Sequence, residues 1–157
     1  MQLISTADRF AIEDLITRYS FTWDTADEDG FADLWTKDAE CFFYLSGSPE
    51  PSTHLVGESS FGEAVRTRAG YFKKIGLITK HFMPNTIIEP ITADSVRSRS
   101  QALITWQMPN HDPAPKPVQA GYYDSDIIKR DDVWKFQARR VYLNGLFRVK
   151  DVYGDGA

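Results

Sequence analysis

Asp24 is the carboxylate that residue type and spacing single out for chemistry. It closes the stretch AIEDLITRYSFTWD, Ala11 to Asp24. There Ile12, Leu15, Ile16, Tyr19 and Trp23 recur at the i, i+3, i+4, i+7, i+11 spacing of one helical face. Asp24 falls about 80° around a 3.6-residue helix from Ile16, at the edge of that stripe. A carboxylate there can lie beside the hydrophobic interior and take part in proton transfer. The same spacing also fits an exposed acid before the turn TADEDG. His81, in LITKHFMPN, is either a candidate base or a satisfied structural imidazole. His54 and His111 lie in proline-rich loops, so no metal site is expected from them. Cys41 is the only cysteine; an internal disulfide and a cysteine-based zinc cluster are excluded, and the residue is assigned to the core.

The elements that must position these groups change character along the chain. Ser5 or Thr6 can cap the first helix, with Asp8 in its first turn near the positive end of the dipole. A short second helix is expected over about 31–35, ended by Lys37-Asp38. AECFFYL, Ala39 to Leu45, has the density of a mostly buried strand, and HLVG is a brief strand candidate. A third helix over about 58–75 places Phe61, Val65, Ala69 and Phe72 on one stripe, with Arg66, Arg68, Lys73 and Lys74 mostly off it on a solvated face. From Leu77 the period moves towards two. VRSRSQALITWQM puts Val96, Ala102, Ile104, Trp106 and Met108 on one face of a long strand. PNHDPAPKP is a loop. VQAGYYDSDIIKR and VWKFQARRVYLN form a hairpin turning at Asp131-Asp132, and the tail after Gly145 ends loosely. Helices first and antiparallel strands second predict an α+β domain over 1–157, with the helices on one face of a curved sheet.

Composition narrows the function. The chain has 157 residues, a net charge of −4 and a pI near 5.3, so general nucleic-acid or anionic-membrane binding is not expected. No apolar run approaches a membrane span and no basic leader opens the sequence, which predicts a cytoplasmic protein. No Gly-rich phosphate loop, βαβ alternation or repeat is present, so nucleotide binding lacks sequence support. Aromatic residues make up 13% of the chain, enough to line a pocket as well as fill a core or an interface. Trp23, Phe43, Phe82, Met83, Trp106 and Tyr123 are the candidate walls, suited to a ring-containing hydrophobic ligand.

Three stretches in order carry a family resemblance: AIEDLITRYSFTWDTADEDGFADLWTKDAE, HFMPN, and AGYYDSDIIKRDDVWKFQARRV. Together they resemble the nuclear transport factor 2-like superfamily, in its SnoaL-like branch of polyketide cyclases, scytalone and bile-acid dehydratases and a dehydrochlorinase. The resemblance implies a cone-shaped α+β barrel with a deep pocket between helices and a mostly antiparallel sheet. It also implies homodimers or homotrimers built through the sheet. The superfamily includes non-catalytic binding proteins and oxygenase β-subunits, so the fold alone does not fix an activity.

The lyases of this group share an Asp ending the first helix and a His before a sheet strand. Some add a Tyr five residues before the Asp and an Arg on the last strand. Those roles fall on Asp24, His81, Tyr19 and Arg139. The resemblance therefore implies a cofactor-independent lyase, isomerase or cyclase with an Asp24–His81 acid–base dyad. Two features depart from the pattern. The strand around Ala102 to Trp106 carries neither the second pocket His of scytalone dehydratase nor the additional Asp of the bile-acid dehydratase. In an unbulged strand, moreover, Arg140 and not Arg139 shares the face of Trp134 and Phe136.

Overall fold

The computed structural model describes residues 4–45 and 47–154. Helix α1 (Thr6–Thr25) starts where Ser5 accepts from the Asp8 backbone N–H at 3.0 Å while the Asp8 carboxylate reaches back to Ser5, a capping box. Asp8 also accepts from the Trp134 indole N–H at 2.8 Å and pairs with Lys129 at 3.0 Å. One capping acid thus ties the helix start to the far end of the sheet. Ser5, then Trp134 and Lys129, hold its carboxyl well below the usual carboxylate range. Ile12, Leu15, Ile16 and Tyr19 are buried as their spacing requires. Each such apolar side chain contributes about 1.5–3 kcal/mol on burial.

The second helix sits earlier than its sequence suggested. Asp27 caps it through the Gly30 N–H at 3.0 Å, so α2 spans Glu28–Ala32. The chain then turns, and Trp35 opens strand β1 (Trp35–Leu45) instead of ending a helix; Lys37 and Asp38 are exposed strand residues. The Trp35 ring stacks on Phe61 at 4.1 Å, a contact that only the tertiary fold supplies. After β2 (Thr53–Val56), α3 (Glu58–Ala64) continues through a π-helical turn, Val65–Ala69, into α4 (Gly70–Lys74). Phe61, Val65, Ala69 and Phe72 are buried along this length.

Strands β3 (Ile78–Phe82), β4 (Ile87–Thr92), β5 (Ser95–Gln107), β6 (Lys116–Arg130) and β7 (Val133–Gly145) complete the sheet. Its order is β2-β1-β7-β6-β5-β3, with β4 also on β5. The 7 strands curl but do not close. All pairs are antiparallel except β1 with β7. Asp131 and Asp132 both have positive φ, 48° and 61°, as a tight hairpin turn matched to strand twist demands. Helices cover the concave face, and the core lies between them. The outer face carries the polar members of β5, β6 and β7, including Arg99 on Asp124 at 2.6 Å and Arg140 on Asp126 at 3.0 Å.

The strand parity around Arg139 is settled by a bulge. Asp126 pairs with Ala138 and Ile127 with Phe136, leaving Gln137 as the extra residue. Trp134 and Phe136 face the core before the bulge; Arg139, Val141 and Leu143 face it afterwards. Arg139 is fully buried, and Arg140 points to the outer face. A short helix α5 (Val149–Tyr153) follows, held by the Tyr153 hydroxyl donating to Asp112 at 2.5 Å. The expected loose end thus holds a helix up to Tyr153; residues 155–157 lie outside the described residues.

Candidate active site

Helix α1 delivers Asp24 in its last turn, and Ala26 in the left-handed region (φ 56°) ends the helix just after it. Strand β3 crosses that end. The His81 ring Nδ1 lies 2.6 Å from Asp24 Oδ1, and the His81 backbone N–H donates to Asp24 Oδ2 at 3.0 Å. Both side chains are nearly enclosed, with 6% of Asp24 and 11% of His81 exposed. A carboxylate only accepts hydrogen bonds, so Nδ1 carries a proton, and in the neutral ring this leaves the lone pair on Nε2. β3 is an edge strand, and Asp24 accepts an N–H that no neighbouring strand takes. The same carboxylate therefore finishes the sheet edge and orients the imidazole. The Trp23 ring meets the imidazole edge-on at 6.2 Å.

A cavity of about 420 Å³ lies between the helices and the concave sheet. Tyr19, Trp23, Phe43, His81, Trp106 and Tyr123 line it, as do Leu55, Phe72, Ile104 and Leu143. Asp24 does not; it faces a second cavity of about 480 Å³ between α1 and the segment after β3. His81 borders both spaces, so the pair spans the wall between them.

Two expected wall residues lie elsewhere. Phe82 follows His81 on a strand, so period-two geometry turns it away from the interior, where it is 51% exposed. Met83 is half-buried against the core, with its sulfur 3.5 Å from Arg139 Nη2. Both border the second cavity and not the interior one.

Tyr19 packs among Phe31, Trp35, Tyr123 and Phe136. Arg139 lies behind this cluster and does not line the cavity. Its guanidinium carbon is 3.9 Å from the Tyr19 ring centre, 4.6 Å from Phe136 and 4.7 Å from Tyr123. Nε and Nη1 are buried without a hydrogen-bond partner among the described residues. Asp124 and Asp126 take other arginines. Burial pulls the Arg139 guanidinium below its ordinary range, and burial pushes both phenols up, while Arg139 pulls them back. Tyr19 and Tyr123 are therefore neutral phenols, able to donate hydrogen bonds, beside a cation.

Sequence reasoning missed Thr79 and Arg68 on the cavity wall. Thr79 was within reach: it stands two residues before His81 on one strand and so shares its face. Its hydroxyl is buried without a partner among the described residues. Arg68 is exposed, as its place in a solvated charge run implies, and the docking of its helix also sets it on the cavity's border. His54 lies in β2 and pairs with Glu40 at 2.9 Å. No group of metal-ligating side chains occurs among the described residues, and no described helix is long and apolar enough to cross a membrane.

The SnoaL-like domain model matches residues 5–140, and the chain belongs to that family. No functionally curated protein matches it. Solved structures do. Aln2 from a Streptomyces species is 18% identical, with 97% of each chain covered and a TM-score of 0.72. A scytalone dehydratase candidate from Novosphingobium aromaticivorans is 20% identical over 90% of this chain and 85% of that one, with a TM-score of 0.67. From the same organism, the β subunit of a candidate aromatic-ring-hydroxylating dioxygenase is 13% identical over 90% and 92%, with a TM-score of 0.72. At these identities the likeness is one of fold.

Proposed function

We propose that this protein is a lyase or isomerase acting on a small hydrophobic, ring-containing molecule, with His81 as base and Asp24 as its orienting partner. The carrying observation is the double grip of Asp24 on His81, at 2.6 Å to the ring and 3.0 Å to the backbone, in a residue that borders an apolar cavity. In an elimination, Nε2 removes a proton next to a carbonyl. The C–H electron pair becomes the new double bond, and the leaving group departs from the β carbon with its own bonding pair. The imidazolium returns the proton to that group, so a hydroxyl leaves as water. In an isomerisation the same imidazolium returns the proton to another carbon. Asp24 stabilises the cationic ring, and such a positioned acid–base group is worth roughly 10²–10⁴-fold.

Tyr19 and Tyr123 are the donors for the carbonyl oxygen as it gains negative charge, with Arg139 behind their rings strengthening that donation. The chemistry asks for neither a redox cofactor nor a metal. The test is a turnover screen over cyclic ketones and alcohols, read by mass spectrometry for loss of water or isomer formation. Asp24→Asn and His81→Ala should each abolish turnover of any hit; full turnover in either rules out these roles. Specific binding without turnover would instead mark a non-catalytic ligand carrier of the same fold.

A further inference from the structure

The charge of the cavity wall is lopsided. The chain carries a net charge of −4, yet the wall contains Arg68 and Arg148 and no carboxylate among the described residues. Asp24, which grips the wall residue His81, lines the other cavity. Arg148 is neutralised by Asp151 through two contacts, at 2.7 and 2.9 Å. Arg66, two residues before Arg68, is held by Glu28 at 3.0 and 3.1 Å. Arg68 has no carboxylate partner among the described residues. Its Nη2 donates to the Phe147 carbonyl at 2.6 Å, and its guanidinium carbon lies 5.1 Å from the Phe72 ring centre. The carbonyl and the ring fix the group and leave its charge uncompensated, with further N–H donors free.

Local backbone geometry accompanies this placement. Arg68 stands in the π-helical turn Val65–Ala69, a conformation less favourable than the α-helix on either side and often found where a side chain must be re-aimed. Arg68 is exposed to solvent overall, and the partial desolvation of its guanidinium against the neighbouring wall pulls it below its ordinary range. Both features fit a cation whose counter-ion arrives with a ligand.

We propose that Arg68 is an anion-recognition residue, and that the molecule taken by the apolar cavity is a ring-containing carboxylic acid whose carboxylate sits at Arg68. The inference rests on reading that cavity as the substrate site. An apolar ring fills the space between Trp106, Phe72 and Tyr123, the carboxylate meets the guanidinium, and the reacting carbon lies towards His81. A guanidinium offers two parallel donors to a carboxylate, which a lysine cannot match.

Calorimetric titration near neutral pH with 2-naphthoate and with 2-acetylnaphthalene, a neutral molecule of similar size, tests this directly. The acid should bind roughly tenfold more tightly, the order expected of a charge-assisted hydrogen bond in a partly desolvated site. Arg68→Gln should erase the difference while leaving the ketone's affinity in place. Arg68→Lys should keep part of it, and Arg66→Gln should keep all of it. Equal affinities, a preference that survives Arg68→Gln, or no binding of 2-naphthoate into the millimolar range would each overturn the proposal. Binding is read without turnover. A charge preference with no turnover of any compound therefore counts against the lyase reading alone, and turnover without a charge preference counts against the role of Arg68 alone.

Discussion

Asp24 accepts two hydrogen bonds from a single residue, one from the ring of His81 and one from its backbone N–H. The two bonds fix different things. The backbone bond holds β3 against the end of α1, and the ring bond sets the tautomer and tilt of the imidazole. Asp24→Asn keeps the shape but offers one acceptor oxygen for two donors, so one is left unsatisfied. Asp24→Ala abandons both, at a cost of about 1–3 kcal/mol in urea unfolding. In nitrogen-15 spectra of labelled histidine, the wild type should show His81 protonated at Nδ1, and that signal should be lost in Asp24→Ala. A ring protonated at Nε2 alone in the wild type would contradict the arrangement.

Arg139 leads to a less intuitive expectation. A buried, unpaired charge normally costs several kcal/mol, whereas ring-face contacts each return up to about 2 kcal/mol when desolvated. Three rings against one unpaired guanidinium nearly cancel. Arg139→Met, which fills the same space without charge, should therefore unfold within about 1.5 kcal/mol of the wild type. Arg139→Ala opens a cavity and should cost about 2–5 kcal/mol. Chemical denaturation of the pair separates packing from charge. Equal large losses would mean that the charge itself holds the fold.

Much of this arrangement is written in short-range pattern. The apolar spacing of α1, the alternation of β5 and the Asp131-Asp132 turn are local features, and the structure keeps all three. What pattern could not carry was decided by partners distant in sequence. Trp35 belongs to a strand because it stacks on Phe61, 26 residues away by numbering. Arg139 faces inward because Gln137 bulges against β6, and no composition signal marks a bulge. The resemblance named Arg139 where strict alternation named Arg140. Phe82 was misplaced for the opposite reason: its aromatic character suggested a wall, while simple alternation from His81 would have turned it outward.

Cys41 is buried beside Arg139, and burial pushes its thiol up to about 12. The thiolate is the reactive form, so the folded chain should resist iodoacetamide at mildly alkaline pH. The same reagent should label the protein rapidly in urea. Labelling that tracks the unfolded fraction supports this placement; fast labelling of the folded chain would show that the thiol is accessible.

Asp112 gives the acid limb of stability a specific origin. Its side chain is 1% exposed and accepts from the Met108 backbone N–H at 2.9 Å and the Tyr153 hydroxyl at 2.5 Å, with Lys116 as its ion partner. Lys116 first, then Tyr153 and Met108, hold its carboxyl down to about 2 from an ordinary value of 3.8. A depressed folded value means that the unfolded chain binds the proton more readily. The contribution of Asp112 is therefore complete above about 3.8 and is lost as pH falls through about 2. Urea unfolding across that window should show the wild type losing stability relative to Asp112→Asn, whose amide does not titrate. Above it the gap between the two should be constant. The loss should begin at α5, because Tyr153 is the link from that helix to the loop carrying Asp112. Amide exchange at 149–153 should accordingly rise before global unfolding, and a gap that is flat down to the acid end would place the acid limb elsewhere.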